Sequence, residues 1–530
     1  MHHIKNIISS LGIVCVTIGC AVGADPVLVI RGHDLSIQDV VNVARNKFKV
    51  VLADEAIQKI EASRKQVDDL IQAKKVVYGL TTGFGLLENV VISQDQIQQL
   101  QTNLIRSHAV GVGKALSEEV VRASLVLRIN TFAKGVSGIR LLTVQKLVEM
   151  LNKEIYPYVP EQGSVGASGD LAPLSHLMLV LIGEGEVFYR GQRVETKDYL
   201  RQLDFEPIQL QAKEGLALNN GTAVLTAVAA LVLYDTNVLI KNSIIAACAS
   251  FDALKACSSP FDARIHQARP HDGQIKCATH IRSLLQGSAL INSQQGKVQD
   301  CYSIRCFPQV MGASIDAYNY AKKVIETEIN SATDNPLIFD GVACSGGNFH
   351  GQPIALAMDF LGMAIAEIAD ISERRSARLL DPKLNGGLPA FLVQGSGLNS
   401  GFMIVQYTAA ALVSENKVLA HPACVDSIPT CANQEDHVSM GSISARKAMD
   451  ILNNAFSVVS IELFLAVQAL DLREQAAGLG GQLARNVVRS KITFLQDDRI
   501  LYKNIHALTA MLKSGVVIDA VEQTVGLLDI

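Results

Sequence analysis

The sequence predicts a mainly α fold, a bundle of long helices with a loop-rich N-terminal part. Three observations predict it. Apolar residues recur at helical spacing over 313–331, 354–380, 401–419 and 442–470. The stretch 222–240 is almost wholly apolar, and strand-like runs are few and short. Of 530 residues, 49% are hydrophobic and only 18% are charged, below the usual quarter or so. A chain this apolar is expected to bury surface between subunits as well as within one. The net charge of −4, with no basic block, argues against a nucleic-acid partner.

The elements follow in order. Lys5, an apolar run from Ile7 to Ala21 and the small residues Val22-Gly23-Ala24 before Asp25 read as a signal peptide over 1–24. A periplasmic or secreted protein is therefore expected. Val27 to Ile30 reads as a short strand. Ser36 with Asp39 reads as a capping box that opens a helix through Ala44. Residues 59–75 read as a helix with one polar face. Tyr78-Gly79-Leu80-Thr81-Thr82-Gly83-Phe84-Gly85 is a glycine-punctuated loop, and a dinucleotide fingerprint is rejected because a helix precedes it and the third glycine is missing. Ser93 and Gln96 read as a second capping box. In the helix that follows, His108 continues the face of Ile97, Leu100 and Leu104, so on spacing alone it is a core histidine.

Asp235 and Asn237 interrupt the apolar stretch 222–240, which reads as a central bundle helix, so no membrane span is expected in the mature protein. No linker or repeat divides the chain. The loop-rich part is placed at 25–221 and the helical bundle with its C-terminal helices at 222–530. Of ten cysteines, Cys15 and Cys20 leave with the signal. No CxxC pair occurs, and neither Cys301/Cys306 nor Cys424/Cys431 has zinc partners at the usual spacing, so no metal is expected. Apolar surroundings such as those of Cys248 predict buried free thiols.

The most informative segment is Gly163-Ser164-Val165-Gly166-Ala167-Ser168-Gly169-Asp170-Leu171-Ala172. Its Ala167-Ser168-Gly169 triplet can close on itself. The amide nitrogen of Gly169 attacks the carbonyl carbon of Ala167. Two waters leave, one from the new ring and one from the Ser168 side chain. The product is 4-methylidene-imidazol-5-one (MIO), a strong electrophile made from protein alone and needing no external cofactor. Gly169 suits the closure because no side chain blocks the turn.

The run GSVGASGDLAPLSH over 163–176 resembles the electrophile loop of the aromatic amino acid ammonia-lyases, the superfamily of histidine, phenylalanine and tyrosine lyases. Further segments resemble the family in the same order. They are the Tyr78 loop, EGLALNNGT over 214–222, QDCYSIRC over 299–306, Thr333-Asp334-Asn335-Pro336 with Gly346-Gly347-Asn348-Phe349-His350, and NQEDHVSM over 433–440. The resemblance implies the family's long-helix fold and a homotetramer whose sites are shared between chains. It also implies the site residues. Tyr78 is the candidate base for the substrate's β-proton, and it needs a nearby cation or donors because a phenol titrates near 10. Tyr302 is the second candidate base or a partner of the electrophile. Arg305 is the candidate for the substrate carboxylate, which its planar fork matches. Asn220 and Gln299 steady the electrophile and the amine, and Asn335 and Phe349 line the site.

Two positions bear on the substrate, expected to be a small aromatic amino acid. In the family, the pair aligned with Ser107-His108 contacts the substrate ring, and serine-histidine occurs in histidine and in some tyrosine lyases. Glu435 is more telling, since histidine lyases carry glutamate there. An imidazole offers nitrogens that pair with Glu435 and His108, whereas a phenyl ring would leave a buried carboxylate unpaired. The expected reaction is L-histidine to urocanate. Tyrosine ammonia-lyase and aminomutase activities stand as alternatives, as does a non-catalytic periplasmic binding protein on the same fold. Asn219 and Cys301 replace an apolar residue and a proline common in the family.

Overall fold

The computed structural model describes residues 26–202, 204–395 and 397–530. The segment 1–24, read as a signal peptide, lies outside the described residues. The centre of the molecule is the 31-residue helix Ala223–Ala253. It contains no glycine or proline and is apolar almost all round, which suits a helix surrounded by others. It packs against Gly441–Asp471, Glu118–Ala133 and Gln352–Leu380, and Phe307–Glu328 and Met403–Leu419 extend the bundle outward. Ala223–Ala253 and Gly441–Asp471 are each long and apolar enough to cross a membrane, but 78% of the most apolar stretch of each is buried inside the protein. One continuous apolar core runs from Ile30 to Leu528.

The strands are short. Val27–Ile30 pairs in parallel with Lys49–Leu52 across the helix Ile37–Ala44. Ser36 and Asp39 form the expected reciprocal box, with the Ser36 hydroxyl accepting from Asp39 and the Asp39 carboxylate from Ser36. Smaller antiparallel pairs join Val112–Ala115 to Pro160–Gln162 and Leu337–Phe339 to Val342–Cys344.

Several boundaries differ from the sequence reading. The helix expected over 59–75 is Asp54–Gln72, because Asp54 and Glu55 in its first turn favour an earlier start. The helix expected from 313 begins at Phe307, whose neighbour Pro308 is tolerated in the first turn, where an N–H has no helical partner. Ser93 and Gln96 do not form a capping box. Their side chains bond to each other at 2.8 Å, and a 3₁₀ turn, Gln94–Gln96, leads into Ile97–His108. Among the described residues all eight cysteines are free, but they are not uniformly buried. Cys248, Cys277 and Cys424 are, whereas Cys344, at the end of the strand Val342–Cys344, and Cys431, on a short 3₁₀ turn, lie at the surface.

Candidate active site

The triplet sits on a tight turn over the N-terminus of the central helix. Ser168 has a left-handed backbone (φ 51°), as do Gly166 (φ 82°) and Gly169 (φ 78°). A Cβ at Gly169 would overlap the carbonyl oxygen of Gly221, so only glycine fits. The turn is fastened from both sides. Asp170 donates its N–H to the Gly221 carbonyl at 2.7 Å, and Met440 donates to the Val165 carbonyl at 2.9 Å. The Asp170 carboxylate accepts from the N–H groups of Val224 and Leu225 at 2.8 and 2.9 Å, capping Ala223–Ala253 from a distant segment. Two donors converge on the Ser168 carbonyl, Asn220 Nδ2 at 3.2 Å and Gly221 N–H at 3.1 Å.

Above the triplet opens a cavity of about 430 Å³. Its walls include Tyr78, Ser168, Asn220, Asn335, Phe349 and Glu435. These six were all named from sequence, and the fold brings them together from five separate segments. Asn335 is fixed by accepting from the Gly346 N–H at 2.7 Å. Glu435 lies 3.4 Å from the Ser168 hydroxyl through one oxygen and accepts from Thr430 at 2.9 Å through the other. Its segment is a turn in which Cys431, Ala432 and Asn433 are all left-handed, closed by the paired backbones of Thr430 and Glu435. The N–H of Leu86 meets Cys431 Sγ at 3.4 Å, so this turn holds the Tyr78 loop against the cavity.

The Tyr78 hydroxyl accepts from the Gly85 N–H at 3.3 Å. Burial raises its pKa above the ordinary value. Gly85 pulls it back, and the charge of Glu435 pushes it further up. No described cation lines this cavity. His108 ends its helix half-buried and bonds the Ser107 hydroxyl at 3.0 Å. Burial lowers its pKa, partly offset by the Leu104 carbonyl and by Glu435. Ser107 is exposed, and neither it nor His108 lines the cavity.

Gln299, Tyr302 and Arg305 are not part of this cavity in the single chain. They form a separate group at the short helix Tyr302–Arg305 and the segment before it, with Tyr302 and Gln299 exposed and Arg305 half-buried. Arg305 bonds Gln299 and lies over the Tyr302 ring, and Tyr302 is 70% exposed. Sequence reasoning missed Leu216, Glu88, Asn89, Ser345 and Gln434, which also line the cavity. Leu216 was findable, since it stands four residues before Asn220 and so on the same helical face. Asn219 turns away from the cavity, and its amide donates to Ser175 at 3.2 Å.

The residues present fit a cyclised Ala167-Ser168-Gly169 group. The turn excludes a side chain at Gly169, two donors meet the Ser168 carbonyl, and Asn220 Oδ1 is buried without a protein partner beside it. Among the described residues no three His, Cys, Asp or Glu side chains cluster as metal ligands.

The profile of the aromatic amino acid lyase family matches residues 35–490. A histidine ammonia-lyase of Alkaliphilus oremlandii is 54% identical over 94% of this chain and 99% of its own. The crystal structure of histidine ammonia-lyase from Trypanosoma cruzi superposes with a TM-score of 0.88 at 42% identity, covering 94% of this chain and 95% of that one. Tyrosine aminomutase from Streptomyces globisporus superposes with a TM-score of 0.90 at 37% identity, covering 94% and 98%. With the site's geometry these likenesses converge, and the chain belongs to the aromatic amino acid lyase family as a carbon–nitrogen lyase.

Proposed function

We propose that the protein eliminates ammonia from L-histidine to give urocanate, with an electrophile made from Ala167-Ser168-Gly169. The observation that carries the choice of substrate is Glu435, a carboxylate on the cavity wall 3.4 Å from the Ser168 hydroxyl. A ring bound over the triplet meets this acceptor, and imidazole carries an N–H to donate to it, whereas phenyl offers no donor. The relatives named histidine ammonia-lyase support the same reading.

The cyclised group, when formed, supplies an electrophilic carbon for the substrate amine. Asn220 and the Gly221 N–H hold its carbonyl side, at the oxygen of Ser168. Tyr78 takes the β-proton at its phenol oxygen, with the Gly85 N–H favouring the deprotonated form. Arg305 binds the substrate carboxylate through two parallel bonds. Supply of Arg305, Tyr302 and Gln299 by a second copy of the chain, in a homotetramer, is supported by their standing apart from the cavity and by the exposure of Tyr302 and Gln299. We also propose export, with cleavage after Ala24.

Purified protein incubated with L-histidine, L-tyrosine and L-phenylalanine tests the reading through near-ultraviolet absorbance of the conjugated acid and release of ammonia. Turnover of histidine alone is expected, from a protein whose intact mass lacks two waters. Turnover mainly of tyrosine would overturn the substrate. The aminomutase among the structural neighbours gives a second reading, which a β-amino acid product without free ammonia would establish. A mature N-terminus that retains residues 1–24 would overturn export.

A further inference from the structure

The six-residue helix Glu214–Asn219 carries Leu216 and, at its end, Asn220 into the cavity. A helix this short has little stability of its own. Three buried charged side chains anchor it. Lys213, at its N-cap, is fully buried, has a left-handed backbone (φ 74°) and donates through Nζ to Asp334 Oδ2 at 2.9 Å. Glu214 is fully buried and accepts from Arg140 at 2.6 Å and from Thr143 at 2.5 Å. Arg128, also buried, donates to the Ala217 carbonyl.

The Lys213–Asp334 pair joins this helix directly to the segment of Asn335, and Arg128 carries its charge near the same Asp334. Asp334 immediately precedes Asn335, a residue of the cavity wall, and its second oxygen accepts from Ser137 at 2.8 Å. Asn335 in turn fixes Gly346, another wall residue. The pair spans 121 residues of sequence and ties the segment that holds the triplet's carbonyl to the segment carrying Asn335, whose Thr333 packs against Gly221.

We propose that Lys213 and Asp334 are positioning residues, whose buried ion pair sets the separation of Asn220 and Asn335 and so the efficiency of triplet closure and turnover. The proposal rests on the reading that this cavity is the active site. Replacing a buried pair with neutral groups of similar size is commonly neutral for stability, whereas breaking one by removing a single partner is costly. A role in stability alone therefore predicts a neutral double variant that behaves as the wild type. A role in positioning predicts a stable but misaligned one.

The test compares wild type with K213M, D334N and K213M/D334N in the full-length protein, by thermal unfolding, hydrogen exchange at Asn220 and Gly221, intact mass and kinetics with L-histidine. Both single variants are expected to lower Tm, and the double variant to recover most of the loss. In the double variant exchange at Asn220 and Gly221 is expected to rise, and loss of two waters to be incomplete. Its kcat falls about 10²-fold, the size expected of a misplacement near 1 Å, with little change in KM. Lys213→Arg keeps the charge opposite Asp334 and is expected to hold wild-type exchange, which serves as the readout if the double variant does not fold. A double variant with wild-type Tm, exchange and kcat would overturn the proposal, as would a loss of protection in Lys213→Arg equal to that in Lys213→Met. If the wild type neither loses water nor turns over histidine, the proposed function fails, and exchange at Asn220 and Gly221 still decides the role of the pair.

Discussion

Asn220 donates from its side-chain amide to the carbonyl oxygen of Ser168 across 3.2 Å, a bond between segments 52 residues apart. The Gly221 N–H reaches the same oxygen, so a side chain and a backbone group act on one acceptor. Donors fixed before reaction are worth more than donors that must reorient.

Asn220→Ala removes one of these donors and leaves the other. The expected result is a drop in kcat of about 10²-fold, the scale for losing one preorganised donor. Intact mass separates the two causes, since incomplete water loss places the defect in closure and full water loss places it in turnover. Wild-type kcat in this variant would refute the assignment.

Tyr78→Phe removes the phenol oxygen and leaves the ring packed edge-on to Phe84. Loss of a positioned proton acceptor lowers kcat by about 10²–10⁴-fold. Triplet closure and Tm are expected to be nearly unchanged, because the hydroxyl accepts a single bond, from Gly85. Kinetics and intact mass on the same sample check both halves.

Glu435→Gln tests the substrate and the base together. Losing a charged hydrogen bond costs roughly 1.5–3 kcal/mol, so kcat/KM for L-histidine falls by about 10- to 150-fold. The Glu435 charge holds the Tyr78 pKa up, so removing it lowers that pKa. If the phenolate is the base, the rising limb of the pH–rate profile moves to lower pH. A limb that moves upward or stays in place would exclude Tyr78 as the group observed.

Asp170 predicts a pH dependence of stability. Burial pushes its carboxyl up to about 7 from an ordinary 3.8, against the pull of two backbone N–H groups and Arg128. A raised folded value means that the folded state holds the proton longer than the unfolded one. Its contribution is whole below pH 3.8 and is lost as pH rises through about 7. At about 1.4 kcal/mol per pKa unit the loss is at most about 4 kcal/mol. Thermal unfolding of wild type and Asp170→Asn across this range should show wild type losing ground as pH rises. A constant gap refutes it.

Much of the site was legible because its chemistry demands particular residues at close sequence spacing. The triplet needs glycine at 169, and the left-handed turn and the carbonyl of Gly221 show why. Tyr78, Asn220, Asn335, Phe349 and Glu435 were found through local motifs and stand around one cavity. Glu88, Asn89 and Ser345 carried no such signal, since they lie on exposed loops and enter the wall only through folding. The failed capping box shows the same limit, because Ser93 and Gln96 have the right spacing but bond each other.

The sequence by itself determined the class of fold, the Ala167-Ser168-Gly169 triplet on its tight turn and six of the side chains that line the cavity. Long apolar periodicity makes buried helices, and a turn that admits no Cβ makes glycine obligatory, both local consequences of residue type. The tertiary structure alone decided that Asp170 caps a helix begun by other residues and that Lys213 meets Asp334 across 121 positions. It also decided that Tyr302 and Arg305 stand outside the single-chain cavity. Such pairings depend on how helices pack in three dimensions, and local spacing carries no information about which distant charge will lie opposite.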